Sequence, residues 1–414
     1  MSNRIIKAGL IVSGAAVVVS AAMLFFAAGG GYLFRSEPVR HRPQPVLEKR
    51  ALSERQRLDP GHCRQSLGDD AALEAYDSIA ESIQSGESEP MWFGTNVDND
   101  AFYQALFAYL SDHPEVFWVG TGNSYSYTEY DDSVCYELNY TDSGDALQSK
   151  KELLEEAVER ITSQAPDNAS DYDAELYLND CLTRICTYDT EGGDRHSAYG
   201  ALVTGSAVCD GYSRAFQLLC LELGIDCTVV EGTSDFNQNS DEGHMWNCVC
   251  LGGNWYHTDV TWNDAENADC EVEHYFYLNL TEEQISRNHT ISGGYYDRNG
   301  DDDYFNTFVP ECVSDELNWI RLNLVAINDL SDDSEIIAAM IEAARGKSSY
   351  CAYVVAGDDY KAITDEIIQR RGAEWIDAAN HYTGGDPKIS PDCRLASYDD
   401  KHIIAILLEY EQVQ

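Results

Sequence analysis

The chain has 414 residues, 44% of them apolar, and a formal charge of −45. That length accommodates two or three folded units and the apolar content supplies real cores, which excludes a disordered chain. The excess of acid excludes nucleic acid as a partner, because a polyphosphate would be repelled from nearly every face; a solvated acidic surface accounts for the charge without any acid-recognising role.

From Ala8 to Phe34 there is no charged residue. A helix of that length rises about 40 Å, enough to cross a bilayer with tilt to spare. Arg4 and Lys7 form a short basic n-region, and Ala27-Ala28-Gly29 offers a mediocre cleavage site, so residues 1–35 read as an uncleaved signal anchor. Orientation draws two ways. Arg35, Arg40, Arg42, Lys49 and Arg50 outnumber the basic residues before the segment, which by charge counting would keep the rest of the chain inside. Thirteen cysteines, six pairs once one is set aside as a free thiol, favour an oxidising exterior. The expectation is a protein of the cell membrane whose folded part is extracellular.

Residues 36–60, rich in Arg, Pro, Gln and Glu without apolar periodicity, read as a solvated linker. Residues 61–145 form a small α+β module: Tyr76, Ile79 and Ile83 make a helical stripe stopped at Gly86, and a second helix runs from Asn99 towards Pro114. Val116 to Val119 then reads as a strand, and Ser124–Tyr130 with Val134–Tyr140 as a hairpin around Asp131-Asp132. Residues 146–312 form the central domain, opened by helical stripes at Leu153, Leu154, Ala157, Val158 and Ile161 and at Leu176, Leu178, Leu182 and Ile185. Over residues 313–414, a strand at Leu322–Ile327, a helix from Ser331 to Gly346, a strand at Tyr350–Ala356, a helix from Asp358 and a strand at His402–Glu409 predict a small α/β module. The whole is α+β, with two small modules flanking a central core.

The chemistry concentrates in that core. Gly205-Ser-Ala-Val-Cys-Asp-Gly-Tyr-Ser213 precedes a stripe at Tyr212, Phe216, Leu219 and Leu223, which places Cys209 at a helix start. Unsatisfied N–H groups and the positive end of the macrodipole there favour thiolate, and could also hold an oxyanion. By itself a cysteine at a helix start is more often structural; its partners change the balance. His244 opens a strand ending at Leu251, and a second strand from Trp255 to Trp262 follows the Gly252-Gly253 turn. If Leu251 pairs with Asn254, Trp246 pairs with Asp259, and His244 lies diagonally on the same face. A three-residue loop would put His244 and Asp259 on opposite faces. In this reading Cys209 attacks a carbonyl, His244 takes and returns the proton, and Asp259 fixes the imidazole. Trp246, Trp262 and Tyr199 are candidates for the substrate pocket, though both tryptophans serve equally well as sheet packing. His257 reads as a packing or surface histidine.

These segments, with His196-Ser-Ala-Tyr-Gly-Ala-Leu202, Ala207-Val-Cys-Asp-Gly-Tyr212, His244-Met-Trp246 and Trp255-Tyr-His-Thr-Asp-Val-Thr-Trp262, resemble the bacterial transglutaminase-like family over about Leu176 to His289. Tyr275-Phe276 and His289 resemble the family's residues after the aspartate motif. The resemblance implies a papain-like core, a helix carrying Cys209 packed on an antiparallel sheet carrying His244 and Asp259, often displayed outside a bacterial cell. Met245 departs from the family's usual alanine, and by strand alternation it faces away from the His244 side.

Other constellations are weaker. Cys248 and Cys250 near His257 lack the C-x₂₋₄-C spacing of a metal site, and the clusters at Asp98-Asn99-Asp100 and Asp301-Asp302-Asp303 lack the spaced pattern of a calcium loop. The reading therefore requires no metal and no cofactor. It implies an enzyme that forms a thioester on a peptide or protein amide, resolved by water, as a peptidase or amidase, or by an amine, as a cross-linking transferase. The rival is a non-catalytic surface scaffold or adhesin built on the same core.

Overall fold

A computed structural model describes residues 45–120, 124–235, 242–265, 268–292, 308–356 and 359–411. The anchor expected over Ala8–Phe34 and the Asp301-Asp302-Asp303 cluster lie outside these residues. Among the described residues, no helix is long and apolar enough to cross a membrane. The chain divides into two compact units, one of residues 47–264 and 279–314, the other of 265–278 and 315–414.

The first unit begins with the stretch expected to be a solvated linker, and part of it is structural. Lys49 and Arg50 pair with Ser170 and Ala169. Arg55 is buried, donating to the Asp171 carboxylate (2.9 Å) and to the carbonyls of Leu223 and Ala169. A guanidinium presents five donors in a fixed fork, so one arginine can close several orphan acceptors at once, a role no hydropathy pattern reveals.

Helix α1 (Asp70–Ser85) is capped by Asp69, whose side chain accepts from Ala71 N–H, and it ends on Gly86 at φ 75°. Tyr76, Ile79 and Ile83 are its buried stripe. Strand β1 (Met91–Gly94), which the sequence did not announce, precedes helix α2 (Asn99–Asp112). Asp98 caps α2 by accepting from Ala101 N–H, so this acidic cluster is a helix start. Strands β2 (Tyr125–Glu129) and β3 (Ser133–Leu138) form the expected hairpin, and β1 joins β3 to give the antiparallel order β1-β3-β2. Val116–Val119 is not a strand: only Val119 pairs, in an isolated bridge to Tyr140. All four of its residues are buried, and an apolar run without alternation cannot distinguish a strand from a buried loop.

The core carries helices α3 (Gly144–Thr162), α4 (Asp171–Ile185) and α5 (Cys209–Glu222). Its sheet comprises β4 (Cys227–Ser234), β5 (Glu242–Leu251), β6 (Asn254–Thr258) and β7 (His289–Ile291), antiparallel throughout in the order β6-β5-β4-β7. Helix α5 is buried on almost every side, with Tyr212, Phe216 and Leu219 fully enclosed. Ser213 Oγ donates to the Met245 carbonyl on β5 (2.9 Å), and Asn247 Nδ2 donates back to the Ser213 carbonyl (3.0 Å), which fixes the helix against the strand. On another face, Arg214 donates to the Leu110 carbonyl (2.5 Å) and Gln217 to that of Ser111 (2.8 Å). These are carbonyls of the last turn of α2, which have no partner within their own helix. The N-terminal module thus holds the helix that bears Cys209.

All thirteen cysteines are free thiols, nine of them buried. The six-pair scheme read from their number is not present; most serve as small apolar core residues, for which parity carries no information.

The second unit contains β8 (Val325–Ile327), α7 (Ser334–Arg345), β9 (Tyr350–Val355), α8 (Tyr360–Glu366), α9 (Gly372–Tyr382), β10 (Arg394–Tyr398) and β11 (Ile403–Leu407), with the four-residue helix α6 (Val260–Asn263) of the first unit preceding them in the chain. The sheet order is β8-β9-β11-β10, parallel only between β8 and β9. Its core sets Met340, Tyr353, Trp375 and Ile404 between helices and sheet. The strand expected over Leu322–Ile327 is shorter, because Asn318 caps a helical turn at Trp319–Asn323 before it. Strand β10 was not anticipated.

Gly232 on β4 lies opposite His244 in the register, and a Cβ placed on it would fall 2.0 Å from the Thr290 carbonyl oxygen on β7 and 3.0 Å from the Trp246 ring. Only a residue without a side chain lets β7 approach here. Gly232→Ala is therefore expected to destabilise the protein by at least about 1–3 kcal/mol, the usual cost of overpacking, read as a lower urea midpoint.

Candidate active site

The hairpin register sets the site. Gly252 and Gly253 both take positive φ (59° and 85°), as a two-residue type I′ turn requires, and Leu251 pairs with Asn254 as the sequence arithmetic demanded. The ladder closes at Asn247 with Thr258, one step short of Asp259. The second strand does not run to Trp262: Asp259 leaves it to cap α6, its Oδ1 accepting from Trp262 N–H at 3.1 Å. The Asx cap competes with the ladder and wins, because α6 is itself held from below. Asn263 Nδ2 donates to Asn179 Oδ1 (3.0 Å), and Thr258 Oγ1 donates to Glu175 Oε1 (3.0 Å). Glu175 is fully buried, and burial raises its pKa to about 7 against the hydrogen bonds from Asn279 and Thr258.

The other carboxylate oxygen of Asp259, Oδ2, takes two imidazoles. His244 Nε2 lies 2.7 Å away and His289 Nε2 3.0 Å away. Asp259 follows one edge strand of the sheet and His289 belongs to the other, so side chains from opposite edges converge on one oxygen. With Nε2 of His244 committed to Asp259, the ring's second nitrogen is left for a further partner, and the Cys209 sulfur is near enough to help raise the imidazole's pKa. Cys209 is the first residue of α5, half-exposed, whereas His244 and Asp259 are buried.

The electrostatics follow from this geometry. Burial would lower the His244 pKa, but the Asp259 charge and hydrogen bond, with a smaller effect of Cys209, outweigh it and raise it to about 10. Burial would raise Asp259; the charges and hydrogen bonds of His244 and His289 hold it well below the usual carboxylate range instead.

Of the residues assigned to a substrate pocket, Trp246 stacks on His244 (ring centres 5.9 Å apart, 19° between planes), and Trp262 meets both His244 (6.0 Å) and His289 (4.6 Å). Tyr199 takes different neighbours, Phe117 at 5.0 Å and the Lys150 ammonium at 5.2 Å over its ring. His257 is wholly buried rather than on the surface, and its Nδ1 accepts from the Trp246 indole N–H at 3.1 Å. An open cleft is lined in part by Phe117, Val119, His196 and Arg214; neither Cys209 nor His244 lines it.

Among the described residues, two groups are close enough to hold a metal: His244, Asp259 and His289, and Cys248, His257 and Cys312. In the first, both imidazoles direct Nε2 at one carboxylate oxygen, which is the geometry of N–H donors; lone pairs for a cation would have to point elsewhere. His289 was visible in the sequence only as part of a family pattern. Cys312, 64 residues from Cys248, carries no local signal at all.

Residues 155–260 match the family model of the transglutaminase-like superfamily. The chain carries a transglutaminase-like core. Kyphoscoliosis peptidase from mouse is 35% identical over 71 residues, and so is the human protein; the match takes in 16% of this chain and 11% of each relative, so the chain spans about a tenth of their length. Among solved structures, one from Cytophaga hutchinsonii assigned as a cysteine protease is 16% identical, with a TM-score of 0.23 over 33% of this chain and 61% of that one. A TGase structure is 14% identical, with a TM-score of 0.24 over 33% of this chain and 43% of that one.

The transglutaminase-like core should reveal its ion pair in its stability. Below the ordinary imidazole value of 6.5, His244 is charged in both folded and unfolded chains and its contribution is complete. Above that the unfolded chain sheds the proton first, so the contribution shrinks and is gone as pH passes about 10. Asp259, whose pKa is lowered, contributes above its ordinary 3.8 and loses that contribution only in strong acid. The thermal midpoint is expected to fall further between pH 7 and 10 in the native protein than in His244→Gln, as measured by calorimetry across that range.

Proposed function

We propose that the protein is a cysteine enzyme that cleaves or transfers an amide acyl group of a peptide or protein through a Cys209 thioester. The observation that carries this reading is the buried 2.7 Å hydrogen bond between His244 and Asp259, with Cys209, the first residue of α5, acting electrostatically on the same imidazole. His244 holds the proton and Cys209 attacks the amide carbon as the anion, forming the C–S bond. The developing oxyanion faces the backbone N–H groups at the front of α5. His244 then gives its proton to the departing amine, leaving the thioester, and takes one from the water or amine that resolves it. Asp259 keeps the imidazole oriented throughout, and His289 on the same oxygen keeps Asp259 from turning. Trp246 and Trp262 wall the imidazole from bulk water.

Water as acceptor makes the protein a peptidase or amidase; a lysine amine makes it a protein cross-linker. The membrane anchor at residues 1–35, with the catalytic part outside the cell, belongs to the same proposal and rests on the sequence. It predicts that the chain stays in the membrane pellet after alkaline carbonate washing and is degraded by protease added to intact cells; release by carbonate would remove the anchor from the reading.

The catalytic proposal is tested by iodoacetamide near neutral pH. Cys209 is expected to label much faster than the twelve other thiols, and equal rates would favour a scaffold. Surface peptides incubated with the native protein and with Cys209→Ala should then show cleaved, deamidated or isopeptide-linked products by mass spectrometry with the native protein alone. Asp259→Ala should lose about 10³–10⁴-fold in rate, the scale on which an orienting carboxylate acts.

A further inference from the structure

At the far end of β5 from His244, Cys248 and Cys312 bring their sulfurs to 3.7 Å, both buried. The backbones that carry them are fixed. Cys248 sits in the β5–β6 ladder opposite His257, while the Cys312 carbonyl accepts from Glu282 N–H at 2.8 Å. Two residues on, Ser314 Oγ accepts from the Tyr256 hydroxyl of β6 at 3.1 Å. The contact is therefore imposed by two independently anchored segments. Cys312 nevertheless lies next to Val313, which is 79% exposed, so its segment runs at the surface.

We propose that Cys248 and Cys312 are a redox pair that closes to a disulfide when the protein meets a small organic disulfide, stapling residues 308–314 to β5. The Cys312 sulfur attacks the organic disulfide, forming a mixed disulfide and expelling one thiolate. The Cys248 sulfur then attacks Cys312, giving the protein disulfide and expelling the second thiolate. The two protein thiol protons pass to the two departing thiolates. Two protein thiols lose two electrons, and the organic disulfide gains them as two thiols. The pair is suited to the first step: the Cys248 thiol's hydrogen bond, helped by His257, outweighs burial and lowers the Cys312 pKa, while burial raises that of Cys248.

The same three side chains could be read as a metal site with His257. Structural zinc takes four ligands, and this group has three among the described residues. The Nδ1 lone pair of His257, the nitrogen 3.2 Å from Cys248, is already engaged by the Trp246 N–H. Disulfide closure needs neither a fourth ligand nor that lone pair. The ring it would close, from 248 to 312, encloses Asp259 and His289, so the staple would tie down the half of the site that orients the base.

The test uses the full chain, equilibrated with glutathione disulfide, blocked with N-ethylmaleimide and digested without reductant. The expected result is a linked peptide pair joining Cys248 to Cys312, in the native protein and in Cys209→Ala alike. Alongside it, the thermal midpoint should rise by about 5–10 °C and return on dithiothreitol treatment. Cys312→Ser should lose both the linked pair and the shift; if that variant fails to fold, the peptide map of the native protein decides alone. Alkylation of both cysteines after oxidation, pairing of either with another cysteine, or stoichiometric zinc in the purified protein would overturn the proposal. None of these readouts depends on catalysis, so the staple and the enzymatic reading succeed or fail separately.

Discussion

The buried Asp259 carboxylate organises this molecule. An unpaired carboxylate taken fully out of water would be protonated or expelled, so its burial is tolerable only because every direction is answered. One oxygen closes the first turn of α6 and the other receives two imidazoles. The carboxylate thus does local and long-range work together, capping a turn and joining the two edges of a four-stranded sheet. The orientation of His244 is a consequence of that dual bonding.

Around this centre the fold applies the same device repeatedly: a buried polar side chain satisfies a backbone that would otherwise be stranded. Ser213 and Asn247 lock α5 to β5, and Arg214 and Gln217 lock it to the last carbonyls of α2. Arg55, in a stretch with the composition of a linker, does likewise for three carbonyl and carboxylate acceptors. Such contacts contribute less to net stability than apolar burial, but leaving one unmade costs heavily, so they specify a single arrangement. The first residue of α5, Cys209, is held in place by that kind of restraint.

What the sequence disclosed and what it withheld divide along the same line. The Gly252-Gly253 turn fixed the register by counting, because side-chain period two leaves no intermediate answer, and the α5 stripe placed Cys209 at a helix start for similar reasons. Local periodicity also announced α1, α2, α3 and α4. It failed where tertiary partners decide: Asp259 leaving its strand to cap α6, Val116–Val119 remaining a buried loop, and His289 arriving from thirty residues away. Trp246 and Trp262 landed beside His244, while Tyr199 went to Phe117 and Lys150, since a lone aromatic offers no pattern to aim it. The cysteine count misled because parity says nothing about distance.

The family match begins at residue 155 and ends at 260, immediately after Asp259. Yet the second imidazole on that carboxylate comes from residue 289, and the carbonyls that pin α5 come from residues 110 and 111. The contacts that hold Asp259 and α5 in place therefore reach beyond the matched segment on both sides, so a fragment cut at residues 155 and 260 would carry Cys209, His244 and Asp259 without the groups that fix them.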